Sequence, residues 1–125
     1  MMDLNYIQTP LRNQTIEEQI KDFYLLNNKE RTYQHVLGVA MAAEKLALQY
    51  QEDIRACILA ALLHDISAVI TPQDMMKIAN ELQWQLDSAE KIYPFLLHQK
   101  ISALIAYEYF QIRNLSILKA IESHT

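Results

Sequence analysis

The chain has four histidines, and one of them, His64, stands directly before an aspartate, Asp65. The pair follows residues 58–63, six small or apolar side chains that read as a helix turn buried on every side. A carboxylate at the end of a buried helix is costly unless something pairs with it. A bound metal is an economical partner, because imidazole and carboxylate are both good ligands for zinc, iron or manganese. For an isolated His-Asp dipeptide, a satisfied polar helix end is the readier explanation, and the other histidines change the balance. The other histidines, His35, His98 and His124, each fall near the start or end of a helical pattern and beside apolar residues. Residues so far apart in sequence meet only if helices pack around a shared centre, as bundles do when they build metal sites. Taken one at a time, each is also compatible with a satisfied core or surface histidine.

The elements that would position these residues are helical. One Gly and three Pro in 125 residues leave too few turn residues for a many-stranded sheet. With 51% hydrophobic and 21% charged residues the composition is that of a single globular domain. Residues 1–14 read as a loosely ordered lead-in. Thr15 to Glu18 is a capping box, followed by Ile16, Ile20, Phe23 and Tyr24 at helical spacing and a stop at Asn27-Asn28. A second helix is expected over 32–50, with Val36, Val39, Ala40, Ala43, Leu46 and Ala47 as its apolar stripe and His35 near its start. Asp53 caps a third helix that ends at His64-Asp65. Thr71-Pro72 opens a fourth, in which Met75 and Met76 read as gap-filling core. Asp87 to Glu90 caps a short fifth that Pro94 stops. A sixth follows His98 towards Phe110, and Asn114 caps the last, which leads to Ser123-His124-Thr125. The expected class is all-α, a bundle of roughly seven helices.

Composition also excludes functions. A net charge of −4 gives no broad attraction to nucleic acid or to an anionic membrane, though local metals could still hold a phosphorylated small molecule. No basic stretch precedes an apolar run at the N-terminus and no apolar stretch approaches 18 residues, so the reading is cytoplasmic. The single cysteine, Cys57, sits inside the apolar third helix and reads as a structural thiol. There is no Gly-rich phosphate loop, no Cys-based zinc spacing and no Ser-His-Asp context. A homodimer is the assembly expected.

The order His, His-Asp, His, His resembles the HD-domain metal-dependent phosphohydrolases, and within them the bacterial YqeK-like symmetrical diadenosine tetraphosphate hydrolases. The resemblance runs over 33–125. It is carried by Gln34-His35-Val36-Leu37-Gly38-Val39-Ala40, Ala61-Leu62-Leu63-His64-Asp65, Phe95-Leu96-Leu97-His98 with Lys100, and Ile117-Leu118-Lys119-Ala120-Ile121 ending in His124-Thr125. It implies a helical bundle with a dinuclear site in its centre, a di-iron centre with manganese or zinc as alternatives. His35, His64 and Asp65 would hold one ion. Asp65 would bridge to a second ion held also by His98 and His124, making Asp65 and His64 the catalytic pair. The implied reaction is symmetrical hydrolysis of diadenosine tetraphosphate to two ADP, in which paired metals activate water and clamp phosphate oxygens. Lys100 and Arg31 would contact the substrate's phosphates. Tyr33 and Tyr93 are candidates to stack on adenine. Ser67 and Thr125 could support the ligands, and Trp84 packs over the bundle.

The sequence departs from that family pattern in four places. Ala68 stands where a lysine is usual, Gln99 and Ser102 where glycines are usual, and Thr32 where an arginine is common, with Arg31 one place earlier. The family also continues past its His-Thr pair into a helix that supplies a final Asp ligand. The expectation is therefore an HD domain over 15–125 lacking its C-terminal helix. No internal acid substitutes for that Asp: Glu122 is out of register with His124, and Asp53, Asp74, Asp87 and Glu90 read as helix-start acids. Three functions stay open: a diadenosine tetraphosphate hydrolase, the same metal chemistry on a nucleoside monophosphate or cyclic nucleotide, and a degenerate HD module that binds a ligand without turnover.

Overall fold

The computed structural model describes residues 7–10 and 14–123. Among them are seven α-helices: α1 (Ile16–Leu26), α2 (Glu30–Tyr50), α3 (Ile54–Leu63), α4 (Pro72–Glu81), α5 (Ser88–Ile92), α6 (His98–Glu108) and α7 (Leu115–Glu122). Two short 3-10 turns, Ile66–Val69 and Pro94–Leu97, lead into α4 and α6. The described residues contain no strand. No single helix among them is long and apolar enough to cross a membrane.

The helix starts follow side-chain chemistry. The hydroxyl of Thr15 accepts from the Glu18 backbone and the Glu18 carboxylate reaches back, and Asp87 and Glu90 repeat the exchange at α5. Asp53 accepts from Ala56 N–H at α3, and Thr71 accepts from Asp74 N–H at α4, where Pro72 takes the first position. The second helix differs from its expected start. It begins at Glu30, two residues before Thr32, without a side-chain cap. Asn28 turns the chain in the left-handed region (φ 62°) and Lys29 N–H closes the end of α1 on Tyr24 O at 2.9 Å, so α2 starts directly from the turn that ends α1.

The core is one cluster in which α3 is central. Leu59, Ala61, Leu62 and Leu63 are buried against Ile20, Phe23 and Tyr24 of α1, Val36 and Ala40 of α2, Ile101 and Ile105 of α6 and Ile117 and Ile121 of α7. Phe23 packs edge-on to Phe110 and tilted to Tyr109, with centroids 5.3 and 5.7 Å away. Met75 is buried core and Met76 packs beside it, while Cys57 is a half-buried free thiol. The stripe expected on α2 holds except at Leu46: Val36, Ala40 and Ala47 are buried, and Val39 and Ala43 pack against the core. Leu46, expected in the core, is 56% exposed, and Leu48 and Tyr50 are exposed with it. At 21 residues α2 outruns the 10 residues of α3, and its last turns have only Ala47 buried.

Candidate metal centre

A helix leaves its last four carbonyls without intrahelical partners, and burial makes that expensive. At the buried end of α3 two side chains answer the demand. Tyr24 donates its hydroxyl to Leu62 O at 2.8 Å. His64, the residue that closes the helix, turns Nδ1 onto Ala61 O. That bond makes Nδ1 the donor and leaves Nε2 as the nitrogen directed outward. Nε2 of His64 lies 3.2 Å from Asp65 Oδ2, and Nε2 of His35 on α2 approaches the same oxygen at 3.5 Å. The two imidazoles face each other with centroids 5.7 Å apart. Asp65 thus collects one nitrogen from the end of α3 and one from the start of α2.

The electrostatics follow from this carboxylate. The hydrogen bond to Asp65 raises the His64 pKa above its ordinary value; burial opposes the shift, and the Ala61 carbonyl and the charge of Asp65 reinforce it. Burial, with the field of Asp65 second, pushes the Tyr24 phenol well above its usual range. Tyr24 therefore stays a neutral donor to Leu62. The ligand atoms of His35, His64 and Asp65 lie within 4.8 Å of one another. That is close to the spread allowed to ligands about 2.0–2.2 Å from a shared ion, so the set fits a divalent metal by type and spacing. His35, with its side chain 59% exposed against 13% for His64, leaves the solvent side open.

His98 stands across a small cleft. It opens α6, and its Nδ1 bonds to Phe95 O at 2.9 Å, the same three-residue reach that His64 makes to Ala61. That bond makes Nδ1 the donor, as in His64, and leaves Nε2 as the ring nitrogen turned away from the carbonyl. The cleft has a volume of about 180 Å³ and is lined by Thr32, Asp65, Ser67, Ala68, Phe95 and His98. One buried bond joins its two walls: Ser67 N–H donates to the hydroxyl of Ser102 at 3.1 Å. Ser102 lies one turn after His98, so this bond ties the α6 wall to the strip that carries Asp65.

A model of the HD domain matches residues 32–125. The chain belongs to the HD domain family. Over 66 residues, 53% of its length, it is 38% identical to an uncharacterized protein in the pepC 5' region of Lactococcus lactis subsp. cremoris, covering 34% of that protein. Over 97 residues it is 27% identical to a Mycoplasma genitalium protein described as a probable nicotinate-nucleotide adenylyltransferase/Ap4A hydrolase, covering 77% of this chain and 27% of the relative. The chain thus spans about a third of the length of these curated relatives. A crystal structure of a predicted HD superfamily hydrolase involved in NAD metabolism, from Clostridium acetobutylicum, superposes with a TM-score of 0.80 at 29% identity. The match covers 87% of this chain and 58% of that one.

Within the HD domain the remaining candidate residues divide. Arg31 is exposed in the first turn of α2, one turn before His35. Lys100 is turned away: two residues along α6 is about 200° of rotation from His98. Its ammonium pairs with Glu90 at 3.2 Å, and it lines a separate groove with Trp84, Lys119 and Glu122. Glu122 accordingly stands away from the cleft. Asp53, Asp87 and Glu90 serve as caps, and none joins the cluster of donors. Tyr33 is packed on Tyr24 at 6.0 Å on the core side, whereas Tyr93 is exposed. His124 and Thr125 lie outside the described residues. The sequence names Tyr24 in an apolar stripe, Ser102 at a usual glycine position and Phe95 in the stretch before His98, but assigns none of the three a role at the site. A tyrosine in an apolar stripe and a serine on the His98 face of α6 were the available signals for the first two; Phe95 carried none.

Proposed function

We propose that this HD domain is a metal-dependent hydrolase of phosphorylated nucleotides, and that its substrate is diadenosine tetraphosphate, cleaved symmetrically to two ADP. The observation that carries the hydrolase reading is the convergence of two Nε2 atoms on one carboxylate oxygen at the open end of α3. His35, His64 and Asp65 would hold one divalent ion. Asp65, with His98 and the undescribed His124, would hold another. Such ions supply Lewis acidity and water activation. The chain's own residues do the rest. Ala61 and Phe95 carbonyls fix the ring tautomers, Asp65 offers the shared charge, and Arg31, exposed one turn before His35, would meet a phosphate entering there. The substrate choice is supported by the description of the Mycoplasma genitalium relative.

The test is an assay of purified protein with added iron, manganese or zinc, measuring ADP from diadenosine tetraphosphate beside release of phosphate from nucleoside monophosphates and cleavage of cyclic nucleotides. Metal-dependent ADP release at the highest kcat/KM of the panel is expected. Preference for a monophosphate or cyclic nucleotide would keep the metal chemistry and replace the substrate. Metal binding with no turnover of any of them would overturn the hydrolase reading in favour of a binding role.

A further inference from the structure

The cleft beside Asp65 and His98 holds about 180 Å³, below the roughly 300–1,000 Å³ of pockets that enclose a whole ligand. It takes a phosphoryl group and little more, so the rest of any ligand must lie on the rim. The segment that leads into α6 is apolar and exposed at Ile92, Tyr93, Phe95 and Leu96. Phe95 is the member that also lines the cleft. One face of its ring lies parallel to the His98 imidazole, 9° between planes and 4.6 Å between centroids. At 58% exposed, its other face is left to solvent.

We propose that Phe95 is a stacking platform for the planar base of a nucleotide whose phosphate occupies the cleft. This rests on the phosphate-handling reading of the centre and adds a base-binding subsite to it. An exposed phenyl ring would ordinarily be removed from water by packing; here it is held open by the parallel imidazole behind it and by the Phe95 carbonyl, which anchors His98 from the same residue. Ala68, which also lines the cleft, offers only a methyl group and no competing flat surface. Stacking on a phenyl ring uses the face that every nucleobase presents. The platform selects for a planar ring over a bare phosphate and discriminates weakly among bases.

The experiment compares the wild-type chain with Phe95→Leu and Phe95→Tyr, loaded with zinc, by calorimetry with ADP and with inorganic pyrophosphate and by proton NMR of the bound ADP. The expected result is an ADP Kd raised about tenfold or more in Phe95→Leu, rescue in Phe95→Tyr, and a much smaller change for pyrophosphate. The adenine ring protons should move upfield in the wild-type complex and lose that shift in Phe95→Leu. Equal loss for both ligands would show that Phe95 acts only by supporting His98 and would overturn the platform. So would unchanged ADP affinity, or ring protons that do not move. Failure of wild-type protein to bind pyrophosphate would overturn the phosphate-handling reading as well.

Discussion

The two halves of the candidate centre are built differently. The half containing His35, His64 and Asp65 is assembled already: Asp65 Oδ2 has a histidine nitrogen on either side, at 3.2 and 3.5 Å. Two of its three ligands are adjacent in sequence, and the third comes from α2, which packs along α3 through the core. The other half contains His98, which arrives on α6 and faces Asp65 across an open cleft. Its position relative to Asp65 depends on how α6 docks, and the Ser67–Ser102 bond is a direct polar tie across that junction. A site half made by sequence adjacency keeps its geometry through small shifts in packing. A half made by docking does not.

Asp65 is common to both halves, so removing it is expected to have the largest effect. Asp65→Ala should lose metal at both positions and reduce hydrolysis by more than the roughly 10–100-fold that loss of an outer partner costs a metal site. The fold should survive, because α3 keeps the Tyr24 and His64 bonds to its last carbonyls. Elemental analysis and circular dichroism on the same sample check both statements. Wild-type metal content in the variant would mean that the two histidines are not organised around this carboxylate.

His98→Gln separates the halves. It should remove the ion on the α6 side and leave the His35 side loaded, giving about half the metal per chain and little turnover. His64→Gln should do the reverse and also cost stability, since it strips the Nδ1 bond from a buried carbonyl (about 1–3 kcal/mol). Metal stoichiometry with thermal denaturation reads the contrast. Identical losses in the two variants would show that the halves are filled as a unit.

Much of this arrangement was legible in the sequence, and the reasons it was are specific. Capping boxes at Thr15 and Asp87 and the Thr71-Pro72 start fixed three helices because their side chains satisfy local backbone groups. His64-Asp65 was legible because a charge after an apolar helix turn demands an explanation. The start of α2 lies two residues earlier than expected, since Lys29 at its cap position offers no capping side chain to recognise. Leu46 was misplaced because periodicity reports a helix face, not how far the neighbouring helix extends. Lys100 drew attention as a cation near His98, and only helix rotation and the Glu90 pairing show that it belongs to another groove. Ser102 stood out as a serine where a glycine was expected. Its bond to Ser67 is a long-range contact that no local pattern encodes.

The pH response should distinguish the preassembled half next. In the metal-free protein the Asp65 hydrogen bond holds the His64 pKa above its ordinary value of about 6.5. The stability this gives is fully present below the unfolded value and is lost as pH rises through the raised, folded one. An ion at Nε2 must displace that proton, so affinity on the His35 side should rise with pH through the same interval, by up to about tenfold per unit where one proton is released. Metal titrations of wild-type protein at several pH values, with proton NMR titration of His64 in metal-free wild type and Asp65→Asn, measure it. The variant keeps a similar shape but loses the charge, and its His64 titration should move to lower values. An unmoved profile would assign the proton to another group.

The smallest expected effect tests the docked half most directly. Ser102 is wholly buried and accepts the Ser67 N–H, which lies two residues beyond Asp65, while its own helix turn carries His98. Ser102→Ala removes the acceptor and leaves a buried amide without that bond, an effect of about 1–3 kcal/mol on global stability. A second effect follows from geometry. Without the tie, α6 can slide against the Ile66–Val69 turn, and His98 moves while His35, His64 and Asp65 keep their mutual spacing. Affinity for the α6-side ion should then fall by less than about tenfold, the low end for a supporting partner, with the His35-side ion unaffected. Two-site metal titration, with thermal denaturation alongside, measures both. A stability loss with equal weakening of the two ions would mean that Ser102 serves the core as a whole. A loss confined to the α6 side would show that one buried hydroxyl sets the distance between the two halves.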